Sequence, residues 1–240
     1  MTPTNNNTIG IIGGMGPDAS ARLYSQMITM AREEFGARKN HDYPEIILHS
    51  IPVPDFISDT SEVETATFML KSRIEKLSQL PLSCFGMACN TAHILLNKLQ
   101  GESSKPFISI IDEVAKIATG NGYSKVGIIA SPTTIYSQLY QSTLSQLGIL
   151  SVLPPDSDIR NLGPIIDSII AGEHKKTKIQ LMKIADKLKT QGIDALILGC
   201  TEIPLVFPKN YSIPVLNSID ILARALLKMY YEKGENYEKS

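Results

Sequence analysis

The chain has 240 residues, 43% of them hydrophobic and 20% charged, with a formal net charge of -1. That is enough apolar material for one large domain or two small lobes, and the balanced charge offers no basic surface for nucleic acid or an acidic membrane. Tryptophan is absent and aromatics are 6%, which argues against a base-stacking platform, and three cysteines are too few for a disulfide framework. Reduced thiols in a cytoplasmic protein are therefore expected. Residues 1–8 lack the basic and apolar regions of a signal peptide, and no uninterrupted apolar stretch has the length of a membrane span.

In chain order, a polar lead-in is followed by a short apolar strand, Thr8 to Gly13. It runs into the turn Gly13-Gly14-Met15-Gly16-Pro17 and a helix from about Ala19 to Glu34, whose Leu23, Met27 and Met30 recur at three- and four-residue steps. Glu45 to Ser50 reads as a second strand, Ser50 to Ser61 as a loop broken by Pro52 and Pro54, and Val63 to Leu80 as an amphipathic helix. An apolar strand then ends at Cys89, followed by Asn90-Thr91 and a helix-forming run from Ala92 to Leu99. Phe107 to Ile111 is a short strand and Asp112 to Ala118 a helix.

The pattern then restarts. Lys125-Val126-Gly127-Ile128-Ile129-Ala130-Ser131-Pro132-Thr133-Thr134 echoes the first strand and its turn, and one helix is expected over 135–147. Ser151 to Leu153 is a strand, 159–171 and 177–190 are helices, and a second strand-end cysteine, Cys200, precedes Thr201-Glu202. Pro214 to Asn217 is a last strand and Ser218 to Glu232 a last helix, expected to pack back on the first lobe. Alternating β and α elements predict an α/β fold with parallel sheets flanked by helices. The repeat predicts two pseudo-symmetric Rossmann-like lobes: residues 1–113 with 215–240, and residues 114–214. Ligands of such sheets bind at the carboxyl ends of strands, where all four landmarks lie, so the site is expected in the cleft between the lobes.

Cys89 and Cys200 have an ordinary reading as buried small hydrophobes. Their equivalent places in a repeat, ahead of Asn-Thr and Thr-Glu, favour two opposed thiols around one small substrate. Turn amides and helix N-termini beside them are expected to lower their pKa. Cys84, inside a strand, reads as core. Cys89 and His93 have a workable metal-ligand spacing, but no CxxC or HxxxH completes a set. The glycine turn lacks both the GxGxxG register and a following Lys-Ser/Thr, so it is read as a turn whose amides approach a small anion such as a carboxylate. Ser131, Thr133 and Thr134 match it in the second half, with helix capping as the alternative. Glu202 either orients the Cys200 thiol or caps a helix.

Gly13-Gly14-Met15-Gly16-Pro17, Met87-Ala88-Cys89-Asn90-Thr91-Ala92-His93 and Gly199-Cys200-Thr201-Glu202 resemble the three signatures of the aspartate/glutamate racemase family. The likeness runs from Ile9 to about Leu227. Gly-Cys-Thr-Glu is similar to the aspartate racemase branch, where glutamate racemases typically carry Gly-Cys-Thr-His. The resemblance implies an amino-acid racemase of two α/β lobes, often a homodimer, with no cofactor and no metal. Cys89 and Cys200 would be the two catalytic bases, with Met15, Asn90, Thr91, Thr133, Thr134, Thr201 and Glu202 around a small amino-acid substrate. One departure bears on the substrate. Phe56 falls where the family's aspartate racemases hold the side-chain carboxylate with an Arg, and Ile169-Ile170-Ala171-Gly172 lacks their Lys, leaving Lys175, Lys176 or Lys178 as substitutes. Aspartate, glutamate and neutral amino acids all stay open as substrates. The alternatives are a related isomerase of the maleate isomerase or hydantoin racemase type, or a non-catalytic binding protein for amino acids or dicarboxylates.

Overall fold

The structure, a computed structural model, describes residues 8–54 and 60–235. Within them the chain forms two compact units. One gathers the chain up to Ala88, Leu95–Ser109 and the chain from Leu222; the other gathers Cys89–Ile94 and Ile110–Ile221.

The first unit holds β1 (Thr8–Gly13), α1 (Pro17–Glu33), β2 (Ile46–Ser50), α2 (Val63–Leu77), β3 (Leu82–Met87), α3 (Leu96–Gln100) and β4 (Phe107–Ile108). Its four parallel strands lie in the order β2-β1-β3-β4. Every residue of β1 and β3 is buried, as a parallel strand covered on both faces requires. Leu23, Met27 and Met30 of α1 are buried at their three- and four-residue spacing.

The β1–α1 turn depends on glycine. Gly14 has φ +92°, and a Cβ there would lie 2.4 Å from the backbone N and O of Ile51. Pro17 opens α1, and the Ser20 hydroxyl accepts from the Gly14 amide at 3.0 Å while donating to the Gly16 carbonyl.

The second unit holds α4 (Ile110–Gly120), β5 (Lys125–Ala130), α5 (Pro132–Tyr136), α6 (Leu139–Gln146), β6 (Leu150–Val152), α7 (Asp156–Ile170), α8 (His174–Lys189), β7 (Ala195–Gly199) and β8 (Val215–Asn217). Its parallel sheet has the order β6-β5-β7-β8, the same strand order as the first. The repeat read from the sequence is thus a repeat of topology. The last helix, α9 (Ser218–Glu235), starts directly after β8, and its Leu226 lies against Gly86 of β3 in the first unit, the packing expected for it.

Three expectations are corrected. The helix over 135–147 is two helices, because Gln138 takes φ 54° and restarts the chain as α6 with Tyr140 fully buried. The helix over 92–99 is a 3-10 turn, Thr91–Leu95, followed by the short α3. Residues 89–94 pack with the second unit and not with a 1–113 lobe, because the side chains of Asn90 and Thr91 find their partners there. Among the described residues no helix is long and apolar enough to cross a membrane.

Candidate active site

β3 ends at Met87, and two residues on the chain reaches Cys89, which is 3% exposed. The next residues are anchored by side chains in the second unit. Asn90 donates from Nδ2 to Ser218 Oγ at 3.1 Å and accepts at Oδ1 from the Tyr140 hydroxyl at 2.5 Å. The Thr91 hydroxyl lies 2.9 Å from both Ser131 Oγ and Thr134 Oγ1, which are themselves 2.9 Å apart. Three hydroxyls in a triangle satisfy one another, each donating once and accepting once, so a buried polar cluster costs little. Ser131 also caps α5 by accepting from the Thr134 amide.

His93 closes this segment. Its Nδ1 is 2.9 Å from the Cys89 carbonyl, and its Nε2 is 3.1 Å from the Ile110 amide. A carbonyl only accepts and an amide N–H only donates, so this hydrogen-bond network assigns the proton to Nδ1. Burial lowers its pKa from 6.5 to about 4, which keeps the ring neutral. With both nitrogens engaged, His93 is a strut between Cys89 and α4 and not a free metal ligand. Among the described residues no group of three or more His, Cys, Asp or Glu is placed to hold a metal ion.

Cys200 follows β7 directly. Its thiol donates to Glu202 Oε2 at 3.0 Å, and the Thr201 hydroxyl donates to the same oxygen at 3.0 Å. Glu202 therefore orients the thiol; its side chain makes no capping hydrogen bond to the 3-10 turn Ile203–Leu205. The lowered pKa expected for this thiol is overturned. Burial pushes it well above its ordinary value, and the Glu202 carboxylate adds to the rise, as does the charge of Cys89. Only a three-residue 3-10 turn follows, too short to supply an opposing helix dipole. The two thiols thus act on one another electrostatically and belong to one unit. Cys84 is fully buried in β3, as a core residue.

The structure thus brings together Cys89, Asn90, Thr91, Thr134, Cys200, Thr201 and Glu202 in the second unit. Thr133 is there too, half-buried on α5. Met15 is buried in the turn of the first unit. The Gly14 amide, expected to face an anion, is taken by Ser20. Ile170 ends α7 exposed, Lys175 and Lys178 are exposed on α8, and Lys176 lines a cavity of about 370 Å³ between α7 and α8 that includes none of the thiol-site residues. Phe56 lies outside the described residues. Tyr140 and Ser218 were missed by sequence reasoning. Tyr140 had one local sign, a phenol on a helix stripe shared with Leu144; Ser218 had none.

Residues 12–226 match the family described as Asp/Glu/Hydantoin racemase. The chain is 25% identical over 223 residues to the broad specificity amino-acid racemase RacX of Bacillus subtilis (strain 168), covering 92% of this chain and 97% of that protein. The aspartate racemase homologue PH1733 of Pyrococcus horikoshii OT3 has a similar structure, with a TM-score of 0.79 and 30% identity over 94% of this chain and 99% of that one. The aspartate racemase of Picrophilus torridus gives 0.81 and 28% over 94% of each chain. A match across nine-tenths of the sequence, on a fold of two parallel four-stranded α/β sheets with a cysteine after the third strand of each, places this chain in the Asp/Glu/Hydantoin racemase family.

Proposed function

We propose that the protein is a cofactor-independent amino-acid racemase that inverts the α-carbon with Cys89 and Cys200 as paired base and acid, and that it accepts aspartate or glutamate among several amino acids. The thiolate of one cysteine takes the α-proton and becomes a thiol. The thiol of the other gives its proton to the opposite face of the carbanion and becomes a thiolate. The enzyme is left set for the opposite enantiomer, and a proton must cross between the thiols before the same enantiomer can react again.

The observation that carries this reading is the Cys200 thiol hydrogen-bonded to Glu202 with Cys89 close enough to oppose its ionisation. A thiolate at Cys89 favours the protonated thiol at Cys200, which pairs one base with one acid as a two-base inversion needs. Glu202 Oε2 is positioned to receive the Cys200 proton when that residue must act as base. Backbone amides beside the cysteines, at Asn90, Thr91 and Thr201, with Thr133 on α5, are the groups proposed to hold the substrate carboxylate and stabilise the carbanion, since the Thr91, Thr134 and Thr201 hydroxyls donate within the protein. The broad substrate range is supported by the likeness to RacX and by the stretch Ile169-Ile170-Ala171-Gly172, which lacks the lysine of the aspartate racemases.

The test is incubation with a panel of L-amino acids in D2O, reading α-deuteration by NMR and configuration by chiral chromatography. Inversion of aspartate and of at least one other amino acid is expected. Cys89→Ala and Cys200→Ala should each lower kcat/KM at least ~10²-fold, the share of a positioned acid or base. Because enantiomers have equal free energy, that loss must be the same from either side. Binding without deuteration leaves a non-catalytic binding protein, and a cysteine variant holding more than about a hundredth of the rate overturns the two-base assignment. A preference for aspartate above about 10³-fold overturns the broad specificity, since it requires a dedicated polar partner for the side chain.

A further inference from the structure

Tyr140 takes no part in the proton transfers, yet it touches the residue after one cysteine and the residue before the other. Its side chain is wholly buried. It is delivered by the break at Gln138, whose φ of 54° starts α6 two residues upstream. Its ring lies flat enough against β7 that a Cβ on Gly199 would be 2.7 Å from Cε2 and 3.3 Å from Cδ2. Gly199 is the residue before Cys200. The Tyr140 hydroxyl donates to Oδ1 of Asn90, the residue after Cys89.

The hydroxyl also heads a relay of hydrogen bonds. The phenol donates to Asn90 Oδ1, and Asn90 donates on from Nδ2 to Ser218 Oγ. Burial raises the phenol's pKa, and the charge of Cys200 raises it further, so Tyr140 stays protonated and keeps donating. Because Oδ1 only accepts and Nδ2 only donates, these two bonds leave the amide of Asn90 one orientation. One rigid side chain thus spans the two cysteine loops, touching one by its ring and the other by its hydroxyl.

We propose that Tyr140 is a positioning residue that sets the two thiols in register, its ring seating the Cys200 loop and its hydroxyl locking the Cys89 loop. The inference rests on the two-thiol reading above. It separates two parts of one side chain. Tyr140→Phe keeps the ring on Gly199 and removes only the hydroxyl. Ser218→Ala keeps Tyr140 whole and removes the other side-chain partner of the Asn90 amide.

Steady-state racemisation should be measured for both variants, beside wild type and Cys89→Ala, on the best substrate of the panel. Misplacing a reacting group by around 1 Å costs up to ~10²-fold, so kcat is expected to fall about 10- to 100-fold with KM changed less than about threefold. The double variant should be little worse than the worse single one, because both act through the orientation of the Asn90 amide. A residue serving only stability would lower Tm and leave kcat intact. A kcat loss under about fivefold, a loss carried by KM, or additive losses in the double variant overturn the proposal. Should Tyr140→Phe not fold, Ser218→Ala decides by the same kcat and KM criteria. If Cys89→Ala is dead while Tyr140→Phe turns over normally, only the Tyr140 role falls. If Cys89→Ala stays active, the two-thiol reading falls with it.

Discussion

Gly199→Ala gives the sharpest quantitative expectation. The added methyl would lie 2.7 Å from Tyr140 Cε2, 3.0 Å from Ala130 Cβ and 3.3 Å from Tyr140 Cδ2. Carbon atoms prefer about 3.5–4.0 Å, so several tenths of an ångström must be recovered on two sides at once. The ring cannot withdraw, because its residue is fully buried and its hydroxyl is held by Asn90. Ala130 is the strand partner of Gly199 and moves only with β5. The strain therefore falls on the end of β7, which carries Cys200. Overpacking of this kind costs about 1–3 kcal/mol. At about 2–4 °C per kcal/mol for a chain of this size, Tm should drop by roughly 2–12 °C. Displacing Cys200 should also cost turnover up to ~10²-fold. Gly127→Ala is the comparison: a Cβ there meets Ile193 Cδ1 at 2.6 Å, an equally close approach, but to the free end of an aliphatic side chain. It should cost less stability and leave racemisation near wild type. Thermal melts and chiral turnover assays on both variants decide the matter. If Gly199→Ala melts with wild type and keeps its rate, the ring is free to move and the argument from its tether is wrong.

Two further expectations concern protonation. Glu202→Gln removes one of the causes that raise the Cys200 thiol, so alkylation of Cys200 by iodoacetamide, followed in a Cys84→Ala, Cys89→Ala background, should reach its half-maximal rate at lower pH; an unchanged or higher midpoint would refute the pairing. His93 is held neutral down to about 4 against an ordinary 6.5, so the unfolded chain binds the extra proton in that window, and the stability present above pH 6.5 is lost as the pH falls toward 4. The drop from this one group is roughly 3 kcal/mol. Urea midpoints for wild type should therefore decline more steeply over that range than those for His93→Gln, and parallel acid limbs would count against the assignment.

Much of the fold was legible because it rests on local rules. Buried parallel strands write continuous apolar runs, as in Thr8–Gly13, Leu82–Met87 and Ala195–Gly199, and the amphipathic spacing of Leu23, Met27 and Met30 marks α1. The restart at Lys125 showed that the topology is written twice, and the two strand orders agree. What escaped was set by contacts distant in sequence. Nothing local foretells that Gln138 will adopt φ 54°, because the conformation is stabilised by burying Tyr140 between Gly199 and Asn90. Nor does the sequence around Thr91 show that its hydroxyl meets those of Ser131 and Thr134, some 40 residues on.

The site shows the same division more sharply, since residue types were readable and their electrostatics were not. A cysteine at a strand end followed by a helical run suggests a thiol at the positive end of a dipole. Such an end is worth about 0.3–1 kcal/mol, and only when a full helix stands behind it. After Cys200 there is a single 3-10 turn, and after Cys89 a 3-10 turn leading into the five-residue α3. Against so small an effect stand burial of Cys200 and a carboxylate 3.0 Å from its sulfur, both favouring the neutral thiol. On the proposed mechanism this fixes a resting state. Cys200 waits as the acid with Glu202 as its acceptor, so the enantiomer whose α-proton faces Cys89 meets its acid already protonated. Its mirror image must first wait for the Cys200 proton to leave by way of Glu202. Both routes must have equal kcat/KM, since the enantiomers are equal in free energy, and any asymmetry has to appear in kcat and KM separately. Measuring those two constants from each enantiomer therefore reports on which thiol holds the proton.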